Sequence, residues 1–312
     1  MANRDHVVII MGLYNGAPFV DEQLASIAAQ DHQNWTLIVS DDGSTDTGPD
    51  QVRRFADGAG KGRVTFVQGP GRGFAQNFLS LLRHPAASAA DYVAISDQDD
   101  KWLPIRLSRG IAALHPQGDR PALCCARTVV CDATLGPLHI SPLWPRPFAL
   151  RNALVQNVAS GNTILLNRTM ARVAADAAPA AQAANIAAHD WWLYQLASAS
   201  GAHVVQDDCP VLHYRQHGAN SMGRNDTLSA RMGRVAQVLD STFARWIDAN
   251  CLALSSVPQF LTPDAGALLS QMPSLRAASS GARLRALQDT GLYRQGKAGD
   301  LALWAAAALG KL

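Results

Sequence analysis

Tyr92-Val93-Ala94-Ile95-Ser96-Asp97-Gln98-Asp99-Asp100 decides the fold, because a short strand-like run opens directly onto three carboxylates. Upstream of it, Val7-Val8-Ile9-Ile10-Met11 is a continuous apolar run, as expected of a strand buried on both faces. Leu37 to Ser40 is a second strand, and it too runs into acid, at Asp41-Asp42-Gly43-Ser44. Val64 to Val67 is a third. Helical stretches separate them. One begins at Pro18 and carries Val20, Leu24, Ile27 and Ala28 at helical spacing; others run around Pro49 to Ala56 and from Phe74 to Leu82. Four strand–helix units within about 100 residues predict an α/β fold, with a mostly parallel sheet and helices on both faces.

Beyond this the pattern loosens. Pro137, Pro142, Pro145 and Pro147 predict loop over 136–148. Thr163 to Leu166 reads as strand, Ala171 to Ala188 as helix and loop, and His189 to Ser200 as helix. A strand near Val204-Val205 and an extended Val211 to His217 follow. After about residue 223 only helical patterning remains, as in Leu228 to Leu239 and Leu301 to Leu309. Residues 224–312 hold ten Arg/Lys against six Asp/Glu, whereas the preceding 223 hold 17 against 19. The expected division is a main domain over 1–222 and a helical region over 223–312, packed on or beside it. A role in forming a homo-oligomer, or in touching an anionic membrane surface, is the other use of those arginines.

With 312 residues, 48% of them apolar, the chain can bury a sizeable core. A formal charge of +2 is not the basic footprint of a nucleic-acid-binding protein. Cys124, Cys125, Cys131, Cys209 and Cys251 fit neither a CxxC pair nor a zinc ribbon, so they are expected to be reduced and buried. No apolar run approaches the ~20 residues needed to span a bilayer. The polar Met1 to His6 is no signal sequence, so a cytoplasmic location is expected, with peripheral contact to the inner face of the cell membrane left open.

In open α/β sheets ligands bind beyond the carboxyl ends of the strands. Here those ends carry Tyr14-Asn15-Gly16, Asp41-Asp42-Gly43-Ser44 and Asp97-Gln98-Asp99-Asp100. Five carboxylates on one edge repel each other unless a cation or hydrogen-bond donors intervene. A hard divalent cation, held by one or two carboxylates and by phosphate oxygens of a substrate, resolves the conflict.

The order of four segments is distinctive: Ser40-Asp41-Asp42-Gly43-Ser44-Thr45-Asp46, Ser96-Asp97-Gln98-Asp99-Asp100-Lys101-Trp102, His189-Asp190-Trp191-Trp192 and Tyr214-Arg215-Gln216-His217-Gly218-Ala219-Asn220. With Tyr14-Asn15-Gly16 ahead of them, the first 220 residues resemble family 2 glycosyltransferases of the GT-A (Rossmann-like) fold. Among these they are similar to the rhamnosyltransferase-like branch of bacterial surface polysaccharide synthesis. The resemblance implies an inverting, Mn²⁺- or Mg²⁺-dependent transfer of a sugar, with rhamnose a candidate. A dTDP- or UDP-sugar would be the donor and a saccharide or lipid-linked saccharide the acceptor.

The same resemblance implies roles. Asp97-Gln98-Asp99 is the DXD element, with Asp97 facing ribose or metal and Asp99 a direct metal ligand. His217 is the candidate third ligand and His213 its competitor; an imidazole in the set suits Mn²⁺ better than Mg²⁺. Tyr14 would stack on the nucleobase beside Asn15, and Asp42 would accept from the pyrimidine imide N–H while Asp41 supports the loop. Arg72 would border the nucleotide, and Arg215 would grip the diphosphate in a two-pronged contact. Asp190 is the candidate base that deprotonates the acceptor hydroxyl. Trp102, Trp191 and Trp192 would offer apolar faces to sugar rings. Blander roles stand beside these: a helix N-cap for Asp190, core packing for the tryptophans and polar surface for the Tyr214–His217 segment.

Two other classes deserve weighing. A sugar nucleotidyltransferase shares the core and the acidic site, but usually carries a glycine-rich basic loop after its first strand, which Gly12-Leu13-Tyr14-Asn15-Gly16 is not. A non-catalytic sugar-binding scaffold would not need the full set of carboxylates.

Overall fold

The computed structural model describes residues 5–218 and 241–312. The expected boundary at 222/223, the end of the Tyr214–Asn220 segment and the tract 228–239 therefore fall wholly or partly outside the described residues. Nine strands form one sheet: β1 (Val7–Leu13), β2 (Trp35–Asp41), β3 (Val64–Gln68), β4 (Tyr92–Ser96), β5 (Lys101–Trp102), β6 (Ala122–Cys131), β7 (Pro137–Ile140), β8 (Leu165–Asn167) and β9 (His203–Arg215). Their order is β3-β2-β1-β4-β8-β6-β9-β5, with β7 paired to β6. The first four are parallel; β8 runs antiparallel between β4 and β6, and β6 and β9 are parallel again.

The continuous apolar run of β1 follows from burial on both sides. Val7, Ile9 and Met11 point into one cluster, with Leu37, Val39 and the helices Val20–Ala28 and Arg106–Leu114. Val8 and Ile10 point into the other, against the helices Phe74–Leu82, Arg168–Ala183 and His189–Ala199. The period-2 alternation of a strand distributes one apolar run between two cores.

The helical C-terminal region extends the second core. Its helices Thr242–Ser255, Pro263–Gln271, Ser280–Thr290 and Lys297–Ala308 contribute Ile247, Leu254, Leu268, Leu287 and Leu303 to that cluster. Polar ties reinforce the packing. Arg146 bonds Asp300 at 2.7 Å, and Asn152 Nδ2 donates to the Tyr293 carbonyl at 3.1 Å.

Three local expectations need correction. Pro137 does not hold its segment in a loop: Pro137–Ile140 is a strand at the sheet margin, where a missing N–H is tolerated. The stretch Thr163 to Leu166 divides into a 3-10 turn at Gly161–Thr163 and the strand β8. The two extended pieces after Gly201 are one strand, β9, whose pairing with β6 is shifted around Ala126–Val129.

Candidate active site

The carboxyl ends of β1, β2 and β4 place their loops side by side, and hydrogen bonds fasten the first two together. Asn15, at φ 48°, donates its own N–H to Ser44 Oγ at 2.9 Å and accepts the Thr45 N–H on its Oδ1 at 2.8 Å. Asp46 bridges the Ala17 and Gly48 N–H groups at 2.8 and 2.9 Å. Asn15 thus shapes the loop through its amide oxygen. Tyr14 stands beside it with its side chain 59% exposed, the most open tyrosine face on this edge.

Asp41 accepts the Ser44 N–H at 3.0 Å, the loop-supporting role expected of it. Asp42 is also buried, and its two oxygens accept the N–H groups of Gly71 and Gly73, both at 2.7 Å. Both glycines have positive φ, 64° and 89°, which a side chain would strain. Asp42 therefore folds the Gly71-Arg72-Gly73 turn, leaving Arg72 exposed at its tip. Its carboxylate oxygens retain lone pairs beyond these two bonds.

Behind β4 three carboxylates share one poorly solvated space. Burial, then Asp99, then Asp190 push Asp97 up to about 8, so its ionised form awaits a compensating charge. Asp100 is fully buried and lies well above the usual carboxylate range because of burial, then Asp99, then Asp97. It accepts Asn162 Nδ2 at 2.6 Å and the Arg215 N–H at 3.3 Å. Asp99 Oδ2 lies 2.8 Å from His217 Nε2, and the imidazole stacks on Phe19 at 4.5 Å.

Asp99 and His217 thus bring a carboxylate oxygen and an imidazole nitrogen into direct contact, with Asp97 close enough to act on Asp99 electrostatically. Such a mixed set fits Mn²⁺. Among the described residues, no three His, Cys, Asp or Glu side chains close into a metal cluster. Asp97, Asp99 and His217 therefore do not form a preassembled three-ligand site. His213 pairs with Lys101 across β9 and β5.

Asp190 is in the first turn of helix His189–Ala199, whose N-cap is Ala188, so Asp190 is not the cap. Its Oδ2 accepts the Gly161 N–H at 3.2 Å and its Oδ1 the Trp191 N–H at 2.7 Å. His189 beside it is 4% exposed, stacked on Phe78 at 4.1 Å. Neither of its ring nitrogens has a hydrogen-bond partner. Burial lowers it to about 4, so it is neutral at pH 7.

Four expected contacts are corrected. Trp102 is 2% exposed beneath the Arg106 guanidinium, 4.1 Å from its ring. Trp191 is buried, donates to the Ala153 carbonyl at 2.6 Å and stacks on Phe243 at 5.7 Å. Trp192 is completely buried. None of the three presents a face to a sugar, because each lies on the inward side of its element. Arg215 is the last residue of β9 and is buried, its guanidinium enclosed by the groups it contacts. It bonds Glu22, the Asp99 carbonyl at 2.9 Å and the Ala133 carbonyl at 2.8 Å, and lies over the Phe19 ring. It braces the acidic loop where a diphosphate grip was expected.

Gln98, Gly161 and His189 were not expected to contribute. The partners of the first two lie 84 and 29 residues away, and the third is set by stacking on Phe78, far along the chain. Gly161 had one visible signal, a glycine just ahead of an apolar run.

Residues 8–176 match the family model described as glycosyl transferase family 2. The dTDP-rhamnosyl transferase RfbG of Shigella flexneri is 25% identical over 251 residues, 78% of this chain and 84% of its own. Among solved structures, Mannosyltransferase PcManGT from Pyrobaculum calidifontis, in complex with GDP-Man and Mn²⁺, is 19% identical with a TM-score of 0.50. It covers 99% of this chain and 87% of that one. Staphylococcus aureus TarS 1-349 in complex with UDP is 15% identical with a TM-score of 0.52, covering 98% and 89%. These likenesses show the GT-A fold.

Proposed function

The chain belongs to glycosyl transferase family 2, and from that premise we propose that it moves a sugar, with inversion, from a nucleoside diphosphate donor to a saccharide or lipid-linked saccharide acceptor. The observation that carries this is the Gly161-Asn162 segment, whose Gly161 N–H bonds Asp190 at 3.2 Å and whose Asn162 side chain bonds Asp100 at 2.6 Å, so that Asp190 and the acidic loop are held to one segment. We read the acidic loop as the donor side and Asp190 as the base. The likeness to RfbG, named for dTDP-rhamnosyl transfer, supports rhamnose as the sugar, and a surface polysaccharide is the product proposed.

Tyr14 is the platform for the nucleobase. Asp42 and Arg72 border the nucleotide, one by shaping the turn and the other at its exposed tip. Asp99 and His217, with Asp97, would hold Mn²⁺ or Mg²⁺, and the Mn²⁺ reported with PcManGT supports the choice. When bound, the ion neutralises charge on the departing diphosphate.

Asp190 takes the proton from the acceptor hydroxyl as that oxygen attacks the anomeric carbon. The Gly161 and Trp191 N–H groups fix its orientation. A single base and no carboxylate nucleophile correspond to one displacement. Residues 1–222 form the catalytic domain in this scheme, and the region from 223 braces the helix that carries Asp190, through Phe243 on Trp191. Among the described residues, no helix is long and apolar enough to cross a membrane. Cytoplasmic work at the membrane's inner face is the setting that a lipid-linked acceptor would require.

The test is release of nucleoside diphosphate from dTDP-rhamnose and from UDP-sugars, with and without Mn²⁺, followed by the anomeric configuration of the product. Metal-dependent release with an inverted product supports the proposal. Pyrophosphate release from a nucleoside triphosphate and a sugar phosphate would instead identify a nucleotidyltransferase.

A further inference from the structure

The middle residue of the acidic loop, Gln98, does not face the ligands expected of its neighbours. Its side-chain amide is paired with the backbone of Tyr14. The Tyr14 N–H donates to Gln98 Oε1 at 2.8 Å, and Gln98 Nε2 donates to the Tyr14 carbonyl at 2.9 Å. This is the two-bond pattern by which a neighbouring strand would hold that peptide, supplied here by one side chain after β1 has ended at Leu13. Space is kept for it: a Cβ on Gly16 would run into Gln98 Oε1 and come within 2.7 Å of its Cδ.

The geometry points to Gln98 as a positioning residue that fixes the exposed Tyr14 ring as a platform for the nucleobase, tying that platform to the Asp97–Asp99 loop. The inference rests on the nucleotide-sugar reading above and deepens it. Asn15 is left-handed at φ 48°, so the loop after Tyr14 departs from strand geometry at once. Ser44 and Thr45 hold Asn15 from one side, and Gln98 holds Tyr14 from the other. With the Gln98 amide removed, the Tyr14 peptide loses both partners and the ring loses its fixed direction. The tyrosine side chain itself is untouched.

The experiment is a double-mutant cycle on nucleotide affinity, read by calorimetry with UDP and dTDP in Mn²⁺. The four proteins are the full-length wild type, Gln98→Leu, Tyr14→Ala and the double variant. Gln98→Leu should weaken binding about ten-fold in the wild-type background and by less than about two-fold when Tyr14 is already alanine, because the loss acts through the ring. Gln98→Glu keeps the acceptor for the Tyr14 N–H but sets an oxygen against its carbonyl. It should show an intermediate loss that also vanishes in Tyr14→Ala, and it serves if the leucine variant does not fold. Equal losses in both backgrounds, or none in either, would overturn the role of Gln98 while leaving the nucleotide site standing. Failure of the wild type to bind either diphosphate would overturn the nucleotide-sugar reading, and this inference with it.

Discussion

Asp190 and Gly161 meet across two elements: a carboxylate at the start of one helix accepts the backbone N–H of a 3-10 turn at 3.2 Å. The next residue of that turn, Asn162, bonds the buried Asp100 at 2.6 Å, so one short segment touches both the base and the acidic loop. A Cβ on Gly161 would lie 3.1 Å from Asp190 Cβ and 3.2 Å from His189 Nε2, closer than either neighbour accepts without moving. Gly161→Ala is expected to lower kcat about ten-fold, since small displacements of a catalytic group are costly. Nucleotide affinity should stay within about two-fold. Parallel steady-state kinetics and nucleotide titrations separate the two effects.

His189 offers a test of stability. Both of its nitrogens are buried without partners, and leaving such a group unsatisfied costs about 1–3 kcal/mol. His189→Phe keeps a ring to stack on Phe78 and should raise the melting temperature by roughly 2–4 °C. The pH dependence has a definite sign. The folded value is near 4 and the unfolded value is 6.5, so this contribution to stability is complete above 6.5 and is lost as pH falls toward 4. Denaturation midpoints from pH 4 to 7 should be flatter in the phenylalanine variant.

Trp191 separates packing from sugar contact. It is buried, bonded to the Ala153 carbonyl and stacked on Phe243 of the C-terminal region. Trp191→Ala should destabilise the protein by about 3–5 kcal/mol, as large aromatic-to-alanine changes in a core do. Chemical denaturation measures this directly. A fold of unchanged stability with a raised acceptor KM would return Trp191 to the sugar site.

Asp99 and His217 give the prediction for metal. Asp99→Asn keeps the shape of the side chain but removes its charge. The Mn²⁺ concentration that half-saturates nucleotide binding should rise at least about ten-fold. His217→Ala should act in the same direction, and chelation by EDTA should abolish wild-type transfer. Unchanged Mn²⁺ dependence in both variants would remove the pair from the metal site.

How much of this was legible beforehand depended on how local the cause was. β4 matches the expected Tyr92–Ser96, and helix Phe74–Leu82 the expected bounds, because apolar spacing alone determines them. The strand β6 is not part of that reading: Thr128-Val129-Val130 is a β-branched run, but Ala122 to Arg127 ahead of it is not, and pairing with β8 and β9 extends the strand over both. In the site, the acidic loops and Asp190 were visible as residue types in order. The enclosure of Arg215 was not, since it depends on Phe19, Glu22 and Ala133, which the fold brings to it from far along the chain. Nor was the burial of Trp191, which Phe243 and Ala153 decide from about 50 and 40 positions away.

The most direct test of the central claim is a thermal-shift series with UDP, dTDP and their sugar conjugates, with and without Mn²⁺, on the wild type and Asp190→Asn. A ligand that binds only the folded state raises its melting temperature. The predicted result is metal-dependent stabilisation by diphosphates in both proteins, with transfer lost at least about 100-fold in Asp190→Asn alone. Stabilisation by triphosphates only, or an Asp190→Asn variant that transfers at the wild-type rate, would contradict the account.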